Sequence, residues 1–280
     1  SESYPKPAAL NNPLQLSESG SSEIICDSGP IQIAETSSNP LFVMLDNFGT
    51  GPEAVRVIAY DNEKLVFPND PTASAIRVAH MIADVGPLDI YVEGELIDQN
   101  ISFQEVGMIK EVTPGDRAFS ITSAGNPNEI ILQETLAVSP GDFHTVALIN
   151  SMEEPIAVIN TDSFRRIPQN MTLTISNYSA NAADVSIFVL EPGEDLSDSF
   201  PITQQRFGQT TVNTLPENNY EIFVYNPLSN TLLAGPLLLA ASGKALYRIY
   251  IADQIDPSLP IKLLLGDDLD PPFEPSINHD

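Results

Sequence analysis

"IRVAHMIADVGPLDIYV", from Ile76 to Val92, decides the fold. Its first half could gather Ile76, Ala79 and Ile82 on one side of a helix. The same residues also alternate, with Ile76, Val78 and His80 set against Arg77 and Ala79. A second stretch settles the choice. "LTISNYSANAADVSIFV", from Leu173 to Val189, matches the first position by position. There Thr172, Thr174, Ser176 and Asn177 are poor helix formers, and the apolar residues fall at every second place. Both stretches read as strand, polar turn, strand, with period-2 alternation that buries one face.

Working outward, the closing part of the pattern occurs three times. "LFVML" (41–45), "HTVALI" (144–149) and "YRIYI" (247–251) are alternating runs, and each is followed by a partner run. The partners are "AVRVIAYD" ending at Asp61, "PIAVINTD" ending at Asp162 and "PIKLLLGD" ending at Asp267. Proline clusters then mark boundaries in "VFPND", "RIPQN" and "DPPFEP". The opening part occurs only at Ile76 and at Leu173. Turns align as well, "VTPGDRAFSIT" beside "TLPENNYEIFV".

Fixed-period self-similarity of about 100 residues, built from short alternating runs and Pro/Gly/Asp turns, predicts an all-β chain of tandem immunoglobulin-like sandwiches with seven or so strands each. The Cys…Trp…Cys signature of true immunoglobulin domains is missing, since the chain has one cysteine and no tryptophan. The expected division is residues 1–70, an incomplete unit with closing strands only; 71–168, a full unit; and 169–280, a divergent full unit with a Pro/Asp-rich tail. Ahead of Ile24 the sequence offers at most one short strand, around Ala8 to Leu16.

Composition narrows the function. The chain has 280 residues, 38 acidic against 12 basic, for a net charge of −26. Nucleic acid and anionic membrane surfaces need a basic patch, so neither is an expected partner. An acidic, solvated surface keeps a protein soluble and self-repelling; adaptation to salty water or binding of Ca²⁺ are the sharper readings. No run of the roughly 20 apolar residues needed to span a bilayer occurs. Cys26 cannot form an intrachain disulfide and reads as a small apolar strand residue.

"IRVAHMIADVGPLDIYVEG" resembles the opening of a bacterial family known as domain of unknown function 4397. Arg77, His80, Asp84, Asp89, Tyr91 and Gly94 stand at its characteristic places, and "TPGDRAFSIT" and "VSPGDFHTVAL" resemble its middle and closing strands. The unit from Leu173 departs from the pattern, with Thr174 for Arg77 and Asn177 for His80. The resemblance implies a secreted or cell-surface β-sandwich, often in tandem, with no assigned catalysis.

No catalytic residue is nominated. His80, His144 and His279 are the only histidines, and no G-x-S-x-G elbow, metal-ligand Cys/His spacing or Gly-rich phosphate loop accompanies them. His80 is expected to hydrogen-bond a nearby carboxylate, Asp84 or Asp89. No cofactor is expected other than Ca²⁺, for which Asp267, Asp268 and Asp270 are the candidate ligands; Glu191/Glu194/Asp195/Asp198 and Asp253/Asp256 are further acidic clusters. The expected function is a non-enzymatic extracellular structural protein, a subunit of a pilus-like surface fibre whose incomplete unit is completed by a strand from a neighbouring copy. The alternative is a surface adhesion module for a carbohydrate or protein ligand.

Overall fold

A computed structural model describes residues 13–17, 19–20, 24–30, 41–46, 55–61, 64–66, 74–139, 142–163, 166–256, 258–259 and 261–266. Near the N-terminus, β1 (Pro13–Ser17) pairs antiparallel with β2 (Ile24–Pro30). A three-stranded sheet follows, in the order β3 (Leu41–Asp46), β4 (Val55–Asp61), β5 (Lys64–Val66).

The next eight strands form a sandwich. They are β6 (Ser74–His80), β7 (Leu88–Val92), β8 (Glu95–Ile101), β9 (Lys110–Val112), β10 (Gly115–Ser123), β11 (Asn126–Val138), β12 (Phe143–Asn150) and β13 (Pro155–Thr161). One sheet has the order β11-β10-β7-β8 and the other β13-β12-β6-β9. Eight more strands follow: β14 (Asn170–Asn177), β15 (Asp184–Leu190), β16 (Thr203–Arg206), β17 (Thr210–Pro216), β18 (Asn219–Tyr225), β19 (Leu232–Ala240), β20 (Leu246–Ala252) and β21 (Lys262–Gly266). Their sheets run β16-β15-β18-β19 and β17-β14-β20-β21. Strand for strand this is the order of the first sandwich. The stretch at Ile76 is strand, as the alternation predicts. Each sandwich has eight strands where seven or so are expected, because the short strands β9 and β16 carry too little alternation to be read.

Each core fills the space between its two sheets. In the first, Ile76, Val78, Leu88, Ile90, Phe119, Ile121, Val146 and Leu148 are buried together; in the second, Leu173, Ile175, Val185, Ile187, Ile222, Val224, Ile249 and Ile251. The intervening residues should be solvated, as in most antiparallel sheets. On β6 and β12 they are not. Ala75, Ala79, Thr145 and Ala147 are all fully buried. These two strands pair in parallel, as do β14 and β20, and the small side chains on their outer face let another layer approach. That layer is the second sandwich. Among the described residues no helix is long and apolar enough to cross a membrane.

Candidate functional site

The family-pattern residues come first. His80 is fully buried at the end of β6. Its Nε2 lies 3.1 Å from the Gly86 carbonyl, and its Nδ1 accepts from the Ile82 N–H at 3.4 Å. The ring is therefore neutral, with the proton on Nε2, and burial lowers its pKa below the ordinary value. The expected carboxylate partner is replaced by backbone, because the turn after β6 folds its own carbonyl over the ring. Asp84 instead accepts from Met152 N–H at 3.1 and 3.3 Å. Asp89, also buried, accepts from Asn100 N–H at 2.9 Å and Gly125 N–H at 2.8 Å. Gly94 holds a turn at φ 80°, where a side chain would be strained. These residues fasten loops to strand ends. They do not converge on a cleft.

In the second sandwich Asn177 repeats the histidine's work. Its Nδ2 donates to the Ala182 carbonyl at 2.9 Å and its Oδ1 accepts from Ser179 N–H at 3.2 Å.

The residues that do converge lie where the sandwiches meet. Asp162, just beyond β13, is 2% exposed. Its Oδ1 receives Nη2 of Arg248 from β20 at 2.6 Å, and its Oδ2 takes the Thr145 hydroxyl in a short hydrogen bond, with Nη2 of Arg77 at 3.9 Å. Arg77 Nε donates to Thr145 Oγ1 at 2.9 Å, and its guanidinium lies over the Phe143 ring at 5.6 Å. Burial works against the charge on Arg248, but the adjacent Asp162 carboxylate holds its pKa above the ordinary value. Removing two cations and an anion from water is costly, and only close pairing recovers that cost.

Apolar groups surround this cluster. Ala79, Met81, Ala147 and Ile149 of the first sandwich pack with Tyr178, Tyr250 and Ala252 of the second. Tyr178 and Tyr250 stack at 5.8 Å and 21°, and burial raises the Tyr178 pKa. Asn160 Nδ2 donates to the Tyr178 hydroxyl at 2.7 Å, and Gln104 Nε2 to the Asp253 carbonyl at 2.7 Å. The arrangement joins two sheets, with Asp162 and Arg248 buried between them.

Sequence reasoning did not single out this seam. A signal existed: Arg77 and Arg248, two of only 12 basic residues, interrupt apolar strands at paired positions, "IRVAH" and "YRIYI".

The remaining candidates stay apart. His144 hydrogen-bonds Thr161 Oγ1 at 3.3 Å and faces Asp142 at 3.6 Å; burial lowers its pKa, against the pull of Asp142 and Asp162. Asp195 caps a short 3-10 helix (Leu196–Asp198) through Ser197 N–H, Glu194 accepts from Glu191 N–H, and Asp256 accepts from Ser258. Asp253 accepts from Ser179, Ala180 and Asn181. These carboxylates brace loops. No group of three or more His, Cys, Asp or Glu able to hold a metal occurs among the described residues. Asp267, Asp268, Asp270 and His279 lie outside the described residues. Cys26 is on β2, paired with Leu16.

Residues 74–188 match the model of the family described as Domain of unknown function (DUF4397). The match covers the first sandwich, and β14 and most of β15 of the second. No curated protein matches the chain. Among solved structures, the chain is similar to CBMbc, a family CBM26 module from Eubacterium rectale Amy13K crystallised with maltoheptaose. Identity is 10% and the TM-score 0.24, over 69% of this chain and 96% of that one. It is similar also to the tip fimbrial protein Mfa3 from Porphyromonas gingivalis, at 11% identity and a TM-score of 0.22, over 69% and 99%. A third is a DUF3823 family protein from Bacteroides ovatus, at 9% and 0.16, over 61% and 100%.

Proposed function

We propose that the chain is a non-enzymatic structural segment of an extracellular surface fibre or stalk, built from units at 1–70, 71–168 and 169–280. The observation that carries this reading is the seam. Two sandwiches joined through buried Asp162 and Arg248 beside the half-buried Arg77, with apolar packing around them, act as one stiff body. A hinged pair would keep a wet, polar interface. Of the motif residues of the matched family, His80, Asp84 and Asp89 brace loops and Arg77 joins the seam, which suits a scaffold.

In the finer form of the proposal, copies of the chain assemble with one another. In the two sandwiches β12 and β20 are flanked by a parallel strand, β6 or β14. β3 aligns with β12 and β20 in sequence, yet lies at the edge of its described sheet. An edge strand is a template for pairing, and a strand from another copy would pair with it and extend a filament. Electron microscopy of the full chain beside a version lacking residues 1–69 tests this: filaments are expected only from the full chain. Filaments from the shortened version, or none from either, overturn the reading.

A second reading, adhesion, is favoured by one surface. On the sheet of β15 and β18 that faces away from the seam, the half-buried Tyr225 meets the buried Phe188 ring edge to face at 5.6 Å, with half-buried Phe223 beside them and Leu238 on β19 69% exposed. Binding on a glycan panel that Tyr225→Ala abolishes supports adhesion; no binding removes it.

A further inference from the structure

The seam uses the same patch of both sandwiches. Strand registers make Phe143 equivalent to Leu246, Ala147 to Tyr250, and Ile149 to Ala252. Every one of these residues lies in the apolar clusters of the seam. A contact made by one patch on two partners is self-complementary and closes on itself. It therefore leaves neither sandwich with that patch free.

The chain carries a third version of the patch. β3 and β4 pair Val43 with Ile58, as β12 and β13 pair Val146 with Ile159, and β20 and β21 pair Ile249 with Leu265. β2 lies against β4 as β11 lies against β13 and β19 against β21. By the same alignment Val43 stands with the core residues Val146 and Ile249 on the inner face, and Phe42 and Met44 fall on the outer one. On that outer face Phe42 stands where Thr145 and Arg248 stand, and Met44 where Ala147 and Tyr250 stand. Ala147 is 0% exposed and Tyr250 2%, but Met44 is 64% exposed and Phe42 half-buried.

We propose that the outer face of the β3–β5 sheet, centred on Phe42 and Met44, docks against the same face of a second copy of this chain, giving a two-fold dimer built like the internal seam. The occupant follows from the patch itself. Its two relatives bind each other, so its form is self-complementary. Its central residues here are apolar, with no arginine at either position, so the contact needs no partnering acid. The net charge of −26 makes two copies repel; an apolar contact under mutual repulsion tightens as salt screens it. This contact uses the face of β3, whereas strand addition uses its edge, so the two are independent.

Sedimentation of the full chain across nanomolar to tens-of-micromolar concentrations tests the proposal. The expected result is a monomer–dimer equilibrium whose Kd falls several-fold as NaCl rises from 50 to 500 mM. Met44→Lys should raise that Kd at least tenfold. Because Met44 is exposed, its melting temperature measured below the Kd, where the chain is monomeric, should not change; Met44→Ser serves as the second variant if the lysine disturbs folding. A monomer throughout, or a dimer that both variants leave intact, overturns the proposal. A dimer without filaments refutes strand addition alone. Filaments with no Met44-dependent pairing refute the face contact alone.

Discussion

In the first sandwich the seam's arginine stands on β6 and its threonine on β12, as the registered pair Arg77 and Thr145. In the second the two have changed places: Thr174 stands on β14 and Arg248 on β20. Both arginines nevertheless reach Asp162. His80 and Asn177 show the same principle at the strand ends, where different side chains donate to a loop carbonyl and accept from the N–H two residues on. The outer sheets differ without compensation. On the side away from the core the first carries Asp89, Tyr91, Ser120 and Thr122, of which Asp89 and Thr122 are buried under loops, and the second carries Ser186, Phe188, Phe223 and Tyr225, of which Ser186 and Phe188 are buried. What the two copies share is the place of each interaction in the strand order; the residue that performs it is free to change.

The severest way to break that comparison is at the residue both halves use. Asp162→Ala leaves two guanidinium groups buried with no carboxylate among their described partners, which should cost about 3–5 kcal/mol. A chemical denaturation midpoint measures it. The triple change Arg77→Met, Asp162→Leu, Arg248→Met removes every charge and should recover most of the loss. If Asp162→Ala proves neutral, the seam is not what joins the sandwiches.

The β fold and the alternating runs that pair as β3–β4, β12–β13 and β20–β21 were legible because strand alternation is local. The seam was not, because it joins Asp162 to Arg248 across a repeat boundary. Alternation also marks Ala79 and Ala147 as outward-facing, and only the second sandwich explains why they are buried. The strand register corrects one alignment. β21 runs one residue further than the sequence match suggests, since Gly266 pairs with Arg248 as Asn160 pairs with Thr145. The partner of His80 was missed for a related reason: a backbone carbonyl has no sequence signature, whereas Asp84 and Asp89 do.

A milder change exchanges the two strand-end residues. His80→Asn places the second sandwich's residue in the first. Amide nitrogen and oxygen can meet the Gly86 carbonyl and the Ile82 N–H, so the hydrogen bonds survive while the edge contact of the ring with Phe103, at 6.0 Å, is lost. The expected cost is about 1 kcal/mol. His80→Ala strands both backbone groups and should cost more, about 2–4 kcal/mol. Urea midpoints of the two variants give the order. Equal losses would mean that the ring's packing, not its hydrogen bonds, is what the site requires.

The smallest effect separates the sandwiches by pH. His80 and His144 both lie in the first, and burial lowers the pKa of each below 6.5. A lowered histidine pKa means that the unfolded chain binds protons which the folded one refuses. Stability is therefore full above about pH 6.5 and declines as the pH falls toward the folded-state values. No described residue of the second sandwich is a histidine, and Asn177 does not titrate. Hydrogen exchange at pH 7.5 and pH 5.5, corrected for intrinsic rates, should then show protection falling in β6 and β12 while β15 and β18, away from the seam, hold theirs. His80→Asn should remove part of the difference. The part left should belong to His144, whose charged form Asp142 and Asp162 favour, so its share is expected to be the lesser. Equal loss of protection in both sandwiches would instead place the acid sensitivity in the shared seam.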